Sequence, residues 1–199
     1  YDTSRPCRQF NALEGGPWVP SPDNVEDFFE TGFAMSTTLA ASGGTERANA
    51  RMSIGYDDID GFVPNNSFRK NTALLTGALQ VNQKLNTSAV LQYVRNTGRN
   101  RPGTGYLNSI MEQFFWFGRQ VPMSELRNWR QGGTVSNGPA SREYNWNYNF
   151  HNNPFYIQEA NAIADTRDRF ILQGTVAYDI ADWLTASLRS GSDIFRFNI

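Results

Sequence analysis

Six stretches of this chain alternate apolar and polar residues, and the connections between them run short, long, short, long, short. Alternation at period two puts successive side chains on opposite faces of an extended strand. In an antiparallel succession, that order of connections collects every tight turn on one edge and every long loop on the other. Barrels that cross a bilayer have this asymmetry, with short periplasmic turns and longer outer loops. A soluble sandwich has no reason to keep its long loops together. The expectation is an all-β chain forming a segment of an antiparallel transmembrane β-barrel.

The stretches are explicit. Gly32–Ser42 sets Phe33, Met35, Leu39 and Ala41 against Ser36 and Thr38, and Gly43-Gly44 is expected to supply positive φ for a turn. Ala48, Ala50, Met52, Ile54 and Tyr56 alternate with Asn49, Arg51, Ser53 and Gly55. A loop over Asp57–Phe68 follows, broken by Gly61, Pro64 and Asn65-Asn66. Arg69–Val81 sets Ala73, Leu75, Leu79 and Val81 against Thr72, Thr76 and Gln80. After Asn82–Lys84, Leu85–Arg95 aligns Leu85, Ala89, Leu91 and Tyr93, although Val90 and Val94 spoil its other face. The last pair, Arg169–Tyr178 and Leu184–Ser190, aligns Phe170, Leu172, Val176 and Tyr178, then Leu184, Ala186 and Leu188.

Ten residues at about 3.3 Å each cover roughly 33 Å, and a strand tilt near 40° reduces that to an apolar band of about 25 Å. Phe33, Tyr56, Tyr93 and Phe170 then fall near the long-loop ends of their strands, and Tyr178 and Trp183 near the other end. Aromatics at both ends match interfacial girdles. Six strands cannot close a membrane barrel, whose smallest examples use about eight, and an open sheet leaves unpaired edges in lipid. Further strands must come from outside these residues, or the sheet is not in a membrane.

Composition is compatible with both classes. The 18 basic and 19 acidic residues nearly cancel, which gives no electrostatic footprint for nucleic acid. Cys7, the single cysteine, excludes an internal disulfide framework and any multi-cysteine metal site. No apolar run is long enough for a transmembrane helix. No signal segment opens the chain, so a targeting sequence for an exported protein is expected upstream of Tyr1.

The connection from Asn96 to Thr166 is too long for a passive linker. It holds the turn-forming run Asn100–Tyr106, a helix-compatible stretch Ser109–Phe117, then Trp116–Gln120, Asn145-Trp146-Asn147 and Asn152–Tyr156. Leaving out the helix-compatible stretch, these runs and Asp27–Gly32, Ser42–Glu46, Gly61–Asn65, Arg167–Arg169 and Tyr178–Leu184 occur in one order from Asp27 to about Asp193. In that order they resemble the SusC/RagA family of TonB-dependent outer-membrane transporters, which import glycans or peptides. The resemblance implies an interior stretch of a longer chain, about six strands of a barrel of roughly 22. Residues 1–30 would be an outer loop, 31–95 four strands, 96–166 a long outer loop and 167–193 two strands, with the plug domain not in this chain. It further implies a SusD-like surface lipoprotein as partner, contact with the TonB complex through the missing N-terminal part, and outer-membrane lipid around the wall.

Catalytic chemistry is not evident. His151, the single histidine, lies in a polar loop and reads as a surface hydrogen-bonding residue. No Gly-x-Ser-x-Gly elbow precedes a helix. Asp57, Asp58, Asp60 and Gly61 hint at a calcium loop but lack its closing glutamate. No enzyme activity, cofactor or metal is expected. Substrate or partner contacts are expected from Trp116, Arg119, Trp146, Asn147, Asn153 and Tyr156, a mixture of aromatic faces and polar groups that suits sugars or peptides. The competing reading makes these aromatics a small core that holds an oversized loop together, with Ile110, Phe114 and Phe117 packing at helical spacing. Asn49, Arg51, Ser53, Thr72, Thr76 and Gln80 are expected to face the lumen. The alternative class is a soluble carbohydrate-binding β-sandwich, whose apolar faces would meet a second sheet. A porin-type barrel without TonB coupling is a third.

Overall fold

A computed structural model describes residues 19–101, 103, 105, 109–132, 145, 146, 151–160 and 162–199. It divides into two compact units. One is an antiparallel sheet of six strands in the order β1 (Phe33–Gly44), β2 (Ala48–Asp60), β3 (Ser67–Gln80), β4 (Leu85–Arg99), β5 (Ala164–Ala181) and β6 (Leu184–Asn198). Every strand pairs with its neighbours in sequence, as an up-and-down meander must. The sheet is open, with β1 and β6 at its edges. Among the described residues no helix is long and apolar enough to cross a membrane.

Several strands outrun their alternating segments. β4 continues to Arg99, β5 begins at Ala164 and β6 reaches Asn198. These extensions are polar or mixed, and ladder hydrogen bonds persist where apolar alternation has stopped. The pairing of β5 with β6 opposes Phe170 to Ile194, Val176 to Leu188 and Tyr178 to Ala186, with a register shift between Asp179 and Ala181.

The β1–β2 turn departs from expectation. β1 runs through Gly43 and Gly44, and the turn is made by Thr45–Arg47. Thr45 N donates to Ala48 O at 2.6 Å, and Thr45 Oγ1 accepts from the amides of Arg47 and Ala48. A hydroxyl that satisfies two turn amides removes the need for left-handed glycines. Gly44 serves close approach instead, since a Cβ there would lie 2.6 Å from Ala48 O. Asn82 does the same work in the next turn, its Oδ1 accepting from Lys84 N and Leu85 N.

The two faces of the sheet differ. Met35, Leu39, Met52, Ile54, Leu75, Leu79, Leu91, Phe170, Leu172, Val176 and Leu188 form the apolar face, and all are exposed, Leu39 at 68% and Leu188 at 73%. All six strands belong to one sheet, so no second sheet covers that face among the described residues. At the long-loop end the same face turns charged and aromatic. Tyr93 stacks on Phe170 at 4.6 Å and donates to Asp168 at 2.5 Å, and Arg95 lies 3.9 Å from that carboxylate. Tyr56 and Arg69 both donate to Asp58.

The second unit comprises residues 1–33, 60–66 and 99–163. Its described part holds a 3-10 turn at Glu26–Phe28, the helices α1 (Ile110–Phe115), α2 (Met123–Arg127) and α3 (Pro154–Ala160), and a 3-10 turn at Trp129–Gly132. Its core is Phe28, Val63, Ile110, Val121, Met123, Leu126, Trp146 and Phe155. Phe28 is the hub, with the rings of Phe29, Phe114 and Phe155 at 5.0–5.3 Å. Burying such rings supplies the stabilisation that short helices lack.

Candidate functional site

An irregular chain leaves carbonyls and amides without ladder partners, and buried ones must still be satisfied. In the loop unit, buried asparagines do this. Asn24 Nδ2 donates to the carbonyls of Gly118 and Val121. Asn145 donates to His151 O and accepts from Trp146 N. Asn153 is fully buried, with Nδ2 donating to Leu126 O at 2.8 Å and Oδ1 accepting from Phe155 N and Tyr156 N at the start of α3.

Asn100 is the most connected of them. Its Nδ2 donates to Asn65 O at 3.1 Å and Gln158 O at 2.6 Å, and its Oδ1 accepts from Ile163 N at 3.1 Å. Asn65 Nδ2 reaches the same Gln158 carbonyl at 2.9 Å. Both asparagines sit at positive φ, 63° for Asn65 and 49° for Asn100. Asparagine tolerates that region better than most residues, so one residue type serves both the backbone conformation and the hydrogen bonds.

The expected contact residues are mostly committed to this scaffold. Trp146 is 7% exposed, with its ring stacked 5.1 Å from His151 and 4.4 Å from Phe117. Arg119 donates to Pro22 O at 2.7 Å and Asn24 Oδ1 at 3.5 Å. Tyr156 is half-buried, edge-on to Trp129 at 5.1 Å. Asn153 is internal, as described. Trp116 keeps an open face at 57% exposure, with His151 stacked on it at 5.7 Å. Asn147 lies outside the described residues. Of the expected contact residues Trp146 belongs to the buried core, with Phe114, Phe117 and Trp129 packed against it, whereas Trp116 offers a broad bare ring.

His151 differs from a surface polar residue. It stacks against both Trp116 and Trp146, and its Nδ1 lies 2.8 Å from Gln113 Oε1. Burial pushes its pKa below the usual imidazole value, and Glu112 opposes that shift. In the acidic run Asp57–Gly61, Asp57 accepts from Ser36 and lies 3.7 Å from Lys70, while Asp58 pairs with Arg69. Among the described residues no cluster of His, Cys, Asp and Glu could hold a metal ion.

The six expected lumen residues lie on the face opposite the apolar one by strand parity. A Cβ at Gly55 would meet Thr38 Oγ1 and Thr72 Cβ, which puts these residues of β1, β2 and β3 on one polar face. That face also carries the two-pronged Arg169–Asp193 pair, at 2.8 and 2.5 Å, and the Thr185–Asp179 bond at 2.6 Å.

One concavity of the loop unit was not foreseen. A recess of about 430 Å³ is lined by Glu30, Asn65, Arg99, Arg127, Gln158 and Glu159, among others. Arg127 pairs with Glu30 at 3.6 Å and covers the Phe155 ring, while Arg130 pairs with Glu159 at 2.7 Å and covers Trp129. Asn65 and Asn100 were legible as turn formers, but no spacing rule brings them to Gln158.

The class these features define is an all-β chain with a single six-stranded antiparallel sheet, apolar on one face, and a separate loop unit. No protein-family model matches the chain, and no curated protein matches it.

Proposed function

We propose that the sheet is part of the wall of an outer-membrane β-barrel, in a TonB-dependent importer of oligosaccharides or peptides that works with a SusD-like surface lipoprotein. The observation that carries the reading is the exposed apolar face. Exposed apolar patches of more than a few hundred Å² on soluble proteins mark partner or membrane surfaces, and here the patch crosses β1 to β6. Phe170 to Ile180 along β5 covers about 33 Å, or about 25 Å at a 40° tilt, the height of a barrel's apolar band.

The ends of the band support the same orientation. Tyr93, Phe170 and Tyr56, with Asp58, Asp168, Arg69 and Arg95 beside them, suit the headgroup level at the long-loop end. Tyr178 and the 83% exposed Trp183 suit it at the short-turn end. The polar face of Arg51, Ser53, Thr72, Thr76 and Gln80 would then line a wet lumen. TonB coupling, the lipoprotein partner and the substrate class rest on the sequence resemblance.

The test is fractionation of cells that make the intact protein, followed by gel mobility with and without heating. Recovery in outer membranes with heat-modifiable mobility is expected. A water-soluble monomer with a cooperative melt would overturn the membrane reading and favour a sandwich.

A further inference from the structure

We draw no further inference here: the strongest candidate, the exposed apolar surface patch that Met111, Phe115 and Trp116 make at α1 of the loop unit, carries none, because nothing in the structure shows what covers it.

Discussion

Replacing Asn100 by alanine tests whether one side chain holds the loop unit together. The change removes two donated bonds, to Asn65 O and Gln158 O, and one accepted bond, from Ile163 N. At about 1 kcal/mol net for each bond the loss is about 3 kcal/mol. Alanine at φ 49° adds about 1 kcal/mol that asparagine largely avoids. The expected cost of Asn100→Ala is therefore roughly 3–4 kcal/mol, or a few hundred-fold in a local opening equilibrium. Asn100→Gly loses the same bonds without the backbone penalty and should be about 1 kcal/mol milder. Asn100→Asp keeps an acceptor for Ile163 N but turns a carboxylate towards two carbonyls, and should cost at least as much as alanine. Hydrogen exchange over residues 154–163 reads the opening directly. Exchange within about threefold of wild type in Asn100→Ala, or a glycine variant worse than alanine, would refute the account of this residue.

Three further outcomes are expected. Leu75→Arg, on the apolar face of β3, should cost about 2–4 kcal/mol of folding free energy in lipid, whereas Thr76→Arg on the polar face should cost little; refolding titrations into vesicles compare them. Gly44→Ala puts a Cβ 2.6 Å from Ala48 O and should destabilise the β1–β2 hairpin by about 1–3 kcal/mol, read as a lower denaturation midpoint. His151 is held below the usual imidazole range by burial, so the unfolded state binds its proton first as pH falls. Loop-unit stability should be flat above neutrality and decline as pH drops through about 6.5, and His151→Phe should remove that decline in a pH series of melts.

The strands were legible because alternation is local: Met52 and Ile54, or Leu172 and Val176, announce a face without knowledge of any neighbour. Their full lengths were less so, because the polar residues at Arg99 or Ala164–Asp168 pair through the backbone, and side-chain pattern is silent about that. Gly43-Gly44 misled for a related reason, since the Thr45 hydroxyl satisfied the turn without left-handed glycines.

The loop unit was harder to read. Arg119, Asn153 and Trp146 read as contact residues because sequence shows what a side chain offers, not what is near enough to take it. In the fold those offers go to carbonyls far along the chain, as with Asn24 and Gly118 or Asn153 and Leu126.

The central claim, that one face of this sheet meets lipid, is tested most directly by spin labels placed singly from Phe170 to Tyr178 on β5 of the intact protein. Collision with dissolved oxygen, which concentrates in lipid, should peak at residues 170, 172, 176 and 178. Collision with a water-soluble nickel chelate should peak at residues 171, 173, 175 and 177. Chelate access equal on both faces, or an apolar face closed to both reagents as in a sandwich core, would contradict the account.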